Sequence, residues 1–211
     1  GYSVSGVLAF GGVGGVAVGF AAKDLLANFF GGLMIYLDKP FSVGDWVRSP
    51  DRDIEGTVED IGWRLTRIRT FDKRPLYIPN SMFASIVVEN PSRMTNRRIR
   101  EQLGIRYQDG HLMKAICTDV EAMLREHPDI DTNQTLFVNF DAYGASHLEF
   151  LVYCFTKTTE WVKYQYIRQD VLLKIMEIVE GHGAEFAFPT RTLHIAHDCD
   201  HEHDDAEEQH P

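Results

Sequence analysis

Residues Gly1 to Ala22 read GYSVSGVLAFGGVGGVAVGFAA, a run of 22 residues without one charged side chain. As an α-helix rising ~1.5 Å per residue it is ~33 Å long, about the thickness of a bilayer's hydrocarbon core. A secretory signal would open with basic residues and carry a shorter apolar centre, and neither is present. Seven of the 22 residues are glycine, which weakens a helix that packs against nothing. Gly11, Gly15 and Gly19 recur every fourth residue, with Ala9, Gly12, Ala17 and Ala21 widening the small surface. That spacing suits close packing of helix backbones. Val16 and Phe20, four apart, then share another face. A ring of such helices would line a pore.

Further along, a second apolar stretch, Leu25 to Leu37, follows the Lys23-Asp24 pair and is stopped by Asp38-Lys39-Pro40. Lys39, Arg48 and Arg52 put positive charge beyond it, the mark of a cytoplasmic flank. The same residues allow an alternative. Gly12 to Ala17 fits G-x-G-x-x-A, Val4 to Phe10 would be a strand before it, and Leu33 to Leu37 a second strand ending in Asp38. That arrangement predicts a dinucleotide-dependent oxidoreductase with Gly12 to Ala17 as its phosphate loop. Against it, the would-be helix Gly15 to Ala22 has no polar face, and nothing after Pro40 repeats a strand-helix-strand rhythm.

Charge along the 211 residues is uneven. The formal net charge of -10 divides into -1 over residues 1–38, +4 over 39–106, -6 over 107–197, and -7 over Asp198 to Pro211, where Lys and Arg are absent. The basic block directly after an apolar segment reads as a solvated face near anionic lipid, or as a nucleic-acid surface. Hydrophobic residues make up 44% of the chain, enough for a real core. Cys117, Cys154 and Cys199 are far apart and unpaired in spacing, so neither a disulfide framework nor a zinc knuckle is expected.

From Phe41 to Asn90, short apolar runs alternate with turn residues, predicting strands at Trp46-Val47, Gly56 to Val58, Trp63 to Phe71, Leu76 to Ile78 and Ser85 to Val88. Their regular spacing points to a small β-barrel or sandwich. Asp72-Lys73-Arg74-Pro75 is a hairpin turn. Beyond Arg100 the pattern predicts a strand (Gln102 to Tyr107), a helix from near Asp109 to His127-Pro128, strands Thr135 to Phe140 and His147 to Phe155, a helix from about Trp161 to Gly181-His182-Gly183, and a strand Ala184 to Phe188. That β-α-β-β-α-β order is ferredoxin-like. Leu193 to Ala196 is one more candidate strand. The tail from Asp198 is too polar to order itself. Its His194, His197, His201 and His203 with Asp198, Asp200 and Asp204 are a possible divalent-metal tract, although the composition is that of a solubilising tail. No nucleophile, base and orienting acid fall at a recognisable spacing, so no catalytic residue, cofactor or resident metal is expected.

Four ordered motifs carry a resemblance. Gly11 to Ala21 followed by Asn28, then Lys39-Pro40-Phe41-Ser42-Val43-Gly44-Asp45-Trp46-Val47, then Gly56-Thr57-Val58, and Ile78-Pro79-Asn80-Ser81 resemble the small-conductance mechanosensitive (MscS-like) channels, and the arrangement is similar to their low-conductance YnaI branch. The resemblance covers about residues 6–196. It implies an α+β membrane protein with a pore-lining transmembrane helix, a small Sm-like β-barrel domain and a ferredoxin-like α/β domain. The corresponding divisions are 1–38 (pore helix and interfacial helix), 39–100 (β domain), 101–197 (cytoplasmic α/β domain with a C-terminal strand) and 198–211 (acidic disordered tail). It implies a homoheptamer in the bacterial inner membrane, multi-pass through helices upstream of Gly1, with 39–211 in the cytoplasm. Lipids and permeant ions are its implied partners, with no nucleic acid, and tension-gated protection in hypo-osmotic shock its implied role. Val16 and Phe20 fall at the family's two hydrophobic constriction rings, and Lys23 one turn nearer the cytoplasm makes a charge ring. Gly11, Gly12, Gly14, Gly15 and Gly19 serve helix packing, and Gly32 falls where the pore helix bends. Phe20 is aromatic where the family commonly has an aliphatic residue, and Lys23 stands where an uncharged polar residue is usual.

Overall fold

The computed structural model describes residues 4–191, with side chains from Gly12 onward apart from Val13. It opens with one uninterrupted helix, α1 (Val4–Asp38). Both segments that the dinucleotide alternative needs as strands, Val4 to Phe10 and Leu33 to Leu37, are helical, and Gly12 to Ala17 is mid-helix. No strand-to-helix turn exists there to aim backbone N–H groups at a phosphate. That alternative is therefore discarded.

α1 ends at Lys39, which takes a left-handed conformation (φ 47°) and donates its N–H to the Ile35 carbonyl at 3.0 Å. Pro40 then prevents continuation. A meander follows, with β1 (Trp46–Ser49), β2 (Ile54–Ile61), β3 (Leu65–Arg69) and β4 (Pro75–Pro79) in antiparallel order 1-2-3-4. The register of β2 shifts between Val58 and Asp60, a bulge centred on Glu59. The expected hairpin at Asp72 to Pro75 is present, with Lys73 at φ 67° and Thr70 N–H donating to Arg74 O.

Two expectations shift. The third strand starts at Leu65 rather than Trp63, because Gly62 N–H turns back onto the Leu65 carbonyl at 2.9 Å. Ser85 to Val88 is not a strand: a 3₁₀ turn occupies Asn80–Ala84, the Asp51 carboxylate takes the Val87 N–H at 3.0 Å, and pairing to β1 is confined to the Arg48–Glu89 bridge. The core of this domain is Phe41, Val47, Ile54, Val58, Ile68 and Ile78, joined by Ile35 from the last turn of α1. The helix and the sheet thus share one core.

Two polar knots fix α1 to this domain. In the first, the fully buried Asn80 donates through Nδ2 to Gly62 O (2.8 Å) and accepts at Oδ1 from the Thr66 hydroxyl (2.8 Å). The next residue, Ser81, donates its N–H to Asn28 Oδ1 of α1 at 3.0 Å, and Asn28 Nδ2 donates to Asp24 O. The backbones come so close that a Cβ on Gly31 would lie 2.6 Å from Asn80 O, and one on Gly32 2.6 Å from Asn80 Nδ2. In the second knot, Asp45 Oδ2 accepts from Ser42 N–H, Asn90 Nδ2 and Arg93 Nη2 at 3.0, 2.9 and 3.3 Å. Asn90 and Arg93 also donate to the carbonyls of Pro40 and Lys39. Gly44, at φ 95°, lets the chain turn between them. The Asn90 hydrogen bond, the Ser42 N–H and the Arg93 charge hold the Asp45 carboxyl below the usual aspartate range.

The remaining residues form a second compact unit, 98–156 with 165–191, while 157–164 belong with the first. Its elements are β5 (Arg97–Ile105), a 3₁₀ turn (Tyr107–Leu112) that precedes α2 (Met113–Glu126), β6 (Phe137–Tyr143), β7 (Leu148–Thr156) and α3 (Trp161–Gly181). The sheet order is β5-β7-β6. The strand expected at Ala184 to Phe188 is reduced to one antiparallel bridge, Ile105–Phe186, flanked by hydrogen bonds from Ala187 N to Gly104 O and Arg106 N to Glu185 O. It lies on the free edge of β5, which gives the ferredoxin-like order. Ile116, Val120, Leu124, Phe150, Val152, Val171 and Ile175 fill the core. The candidate strand Leu193 to Ala196 and the acidic tail lie outside the described residues.

Replacing Asn80 with Ala strands the buried Thr66 hydroxyl, at a cost of about 1–3 kcal/mol, and frees the partly buried Gly62 carbonyl, at a smaller cost. Gly31→Ala should lower the thermal midpoint as well, by forcing α1 off Asn80. Gly14, where a Cβ meets nothing within 4 Å of its own chain, should tolerate alanine in the same melt.

A pH dependence follows from Asp45. Its carboxyl is lowered in the folded state, so its contribution is complete above the unfolded aspartate pKa of ~3.9 and is lost as pH falls through the folded value. Asp45→Asn should therefore melt below the parent at neutral pH, and the gap should close under acid conditions, as read by thermal unfolding across pH 7 to 3.

Candidate functional site

All the constriction, charge-ring and glycine positions expected from the sequence lie on α1. At ~100° per residue, Val16, Phe20 and Lys23 fall on one stripe, and Asn28, Gly31 and Ile35 lie roughly a quarter turn round, on the face docked to the β domain. Docking of the second face therefore orients the first. Val16 is 60% and Phe20 75% exposed, and Lys23 is exposed, so none of the three is used to hold its own chain together. The stretch Gly14–Asp38 is long and apolar enough to cross a membrane by length and composition.

The glycines separate into two sets. A Cβ at Gly12, Gly14, Gly15 or Gly19 would meet nothing within 4 Å, so their small size serves no contact inside the chain. Gly11 is helical, and its surroundings lie outside the described residues. Gly32 sits against Asn80 Nδ2 and the Trp63 carbonyl, within an unbroken helix. Its observed role is close approach.

Chemically the stripe offers an apolar surface followed by a cation, with nothing that transfers a group. Among the described residues no three His, Cys, Asp or Glu side chains gather as a metal site, and the His194 to Asp204 tract lies outside them. Two of the histidines at element ends, His127 and His182, tie α2 and α3 together, while His147 bonds locally. His127 accepts the Asp129 N–H at Nδ1, which leaves Nε2 to donate to Asp170 Oδ2 at 2.8 Å. His182 meets Asp119 at 2.8 Å and His147 meets Glu149 at 2.9 Å. Asp170 also accepts from Lys174, and these two donors hold its carboxyl below the usual range.

Much of the basic block is consumed internally. Arg69 and Arg67 both reach Glu59 on the β2 bulge, at 2.7 and 3.0 Å, and hold its carboxyl down. Arg93 is committed to Asp45, Arg74 to Asp72, and Arg106 to Asp109 and Glu185. The partners of Arg67, Arg69 and Arg93 come from other strands and loops and so cannot be seen in composition, whereas Arg106 meets Asp109 three residues on and the exposed Arg74–Asp72 pair remains surface charge. Asn28, Asp45 and Asn80, which stand in the motifs as single letters, are the residues that fix α1 to the β domain. The available signal was an amide side chain inside an otherwise apolar helix, at Asn28, and a second directly after the strand-ending Pro79.

Comparison with known proteins places this geometry. The family model described as the mechanosensitive ion channel β-domain matches residues 24–93, and that of the MscS mechanosensitive ion channel C-terminal domain matches 102–186. The low conductance mechanosensitive channel YnaI of Escherichia coli is 59% identical over 195 residues, 92% of this chain and 57% of the relative. The small-conductance mechanosensitive channel MscMJ of Methanocaldococcus jannaschii is 36% identical over 94% of this chain and 56% of its own length. The chain thus spans little more than half of these relatives. The cryo-EM structure of Arabidopsis thaliana MSL1 superposes with a TM-score of 0.82 at 29% identity, covering 88% of this chain and 67% of that one. The closed-state crystal structure of Helicobacter pylori MscS shares the fold, with a TM-score of 0.79 at 24% identity over 94% and 76% of the two chains. With a membrane-length apolar helix, a β domain and an α/β domain in the family's order, the chain belongs to the MscS-like mechanosensitive channel family, a family of channels and not of enzymes.

Proposed function

We propose that the protein is an ion channel opened by membrane tension, protecting a bacterial cell in hypo-osmotic shock. Its expected form is a homoheptamer in the inner membrane, multi-pass through upstream helices, with residues 39–211 in the cytoplasm and with lipids and permeant ions as its partners. One observation carries the reading: α1 is held to the β domain by Asn28, Gly31 and Ile35, and the Val16-Phe20-Lys23 stripe, a quarter turn round from that docked face, is exposed and takes no part in the docking. A 35-residue helix is ~52 Å long, more than the ~30 Å hydrocarbon core. Its docked end then belongs outside the core and its glycine-rich end inside. Gly11, Gly12, Gly14, Gly15 and Gly19 supply the close approach between neighbouring copies that a narrow pore demands.

In this account seven Phe20 side chains form a constriction too narrow and apolar to stay wet, with Val16 a second ring one turn away. Tension favours the state of larger in-plane area, in which the rings separate. A fully buried large apolar side chain is worth ~1.5–3 kcal/mol, so seven partly buried rings hold the closed state by several kcal/mol.

The test is patch recording with graded suction on the complete protein. Phe20→Ala should open at lower tension with raised conductance, and Phe20→Asp at lower tension still, since seven carboxylates hydrate and repel at the narrow point. Well-assembled variants opening at the parent's tension and conductance would show that Phe20 is not the gate.

Lys23 is a second measurable position. Seven ammonium groups at the mouth disfavour cations, with Asp24 offsetting part of the field. The reversal potential of Lys23→Gln in a salt gradient should move towards greater cation permeability. An unchanged ion preference would leave Lys23 only the role of marking the membrane edge by snorkelling.

A further inference from the structure

One face of the β domain carries a cavity that the channel reading leaves unused. On β1, Val47 and Ser49 are buried, so Trp46 and Arg48 lie on the opposite face of the strand. The β1–β2 register sets Arg48 opposite Glu55. Phe71, just after β3, meets the Trp46 ring edge-on at 5.3 Å. Trp161, which opens α3, belongs to the same compact unit. With Arg97 these side chains line a cavity of about 910 Å³, within the ~300–1,000 Å³ of small-molecule sites.

Arg97 builds the wall. Its guanidinium lies 5.3 Å from the Trp46 ring centre, 5.0 Å from that of Trp161 and 5.7 Å from that of Tyr164, and its Nε donates to Thr159 O at 2.6 Å. One cation thus holds rings from β1 and α3 in place. Phe71 and Trp161 nevertheless remain 58% and 52% exposed. Arg48 is exposed and Glu55 half-buried, and among the described residues neither side chain has an ion-pair or hydrogen-bond partner. The Trp46 indole N–H is buried with no acceptor among them.

Uncommitted groups of both signs beside bare aromatic faces define what fits. A simple anion engages the guanidinium and leaves the rings idle, an uncharged aromatic does the reverse, and a cation is repelled by Arg48 and Arg97. A nucleotide engages all three. Its base stacks on aromatic rings, its phosphate matches the guanidinium fork, and its ribose hydroxyls donate to a carboxylate. We propose that the cavity binds a free nucleotide, with the base on Trp161 and Phe71, the phosphate at Arg48 and the ribose at Glu55. Neither the stripe on α1 nor its anchors take part.

The experiment is calorimetric titration of the full-length protein in lipid nanodiscs with adenosine monophosphate, adenosine and inorganic phosphate in separate runs. The nucleotide should bind at least tenfold more tightly than either of its parts. Arg48→Ala should weaken the nucleotide at least tenfold and leave adenosine unchanged. Trp161→Ala should weaken both, and Trp161→Phe should restore both. Glu55→Gln should remove the preference for adenosine monophosphate over its dideoxy form. Where Trp161→Ala fails to fold through loss of the Arg97 contact, Arg48→Ala and the dideoxy comparison still decide. No binding of the nucleotide at millimolar concentration overturns the proposal. Parent-like affinity in both Arg48→Ala and Glu55→Gln, or phosphate alone binding as tightly, overturns it too. So does tighter binding of a short oligoadenylate, which would make the occupant a nucleic-acid strand.

Discussion

One buried amide organises the first compact unit of this protein. Asn80 has no solvent to turn to, and an unpaired amide in that position costs enough to unbalance a domain. Its bonds to Thr66 and Gly62 fix the segment after β4, and only with that segment fixed can Ser81 present its N–H to Asn28 on the helix. The glycines at 31 and 32 are a consequence of the same constraint. A helix that must lie against backbone cannot carry a Cβ there. Which way the Val16-Phe20 stripe faces is therefore set by residues about two to five turns away from it, none of which belongs to the stripe.

The Asp45 knot does for direction what Asn80 does for rotation. Arg93 and Asn90 cap the carbonyls that the helix leaves behind at Lys39 and Pro40, and Asp45 gathers both donors at one oxygen. The ion pair is partly solvated, and its strength as a surface pair would be small. Its value comes from geometry, since it closes a loop between the helix end and the start of β1 with Gly44 as the turning point.

Hydrophobic patterning made most of the fold legible. The apolar run at the N-terminus, the alternation in β7 and the apolar spacing of α2 and α3 depend on neighbours in sequence, and each is found where expected within a few residues. What patterning misplaced depends on partners distant in sequence. Ser85 to Val88 has strand composition, yet Asp51, thirty-six residues away, takes a backbone donor that a strand would need. Ala184 to Phe188 keeps only one bridge beside β5. Val16 and Phe20 could be paired from spacing, because four residues apart means one helix face whatever surrounds it. The anchors could not, because hydrogen-bond partners of Asn28, Asp45 and Asn80 lie up to 53 residues off. Gly32 illustrates the difference. The resemblance places a bend at this glycine, and the packed side chain of Asn80 supplies another reason for it.

Because Ile35 lies within the same core as Phe41, Val58 and Ile68, the lower end of α1 moves with the β domain as one body, and the helix above Asn28 is a lever with its fulcrum there. Phe20 stands eight residues further on, an arm of ~12 Å. A tilt of about ten degrees at the fulcrum sweeps that side chain through ~2 Å, comparable to the radius of a water molecule plus the slack of a rotamer change. Torque delivered anywhere along the arm is therefore felt by the strands, and strain in the strands is returned, magnified by the arm, at Phe20.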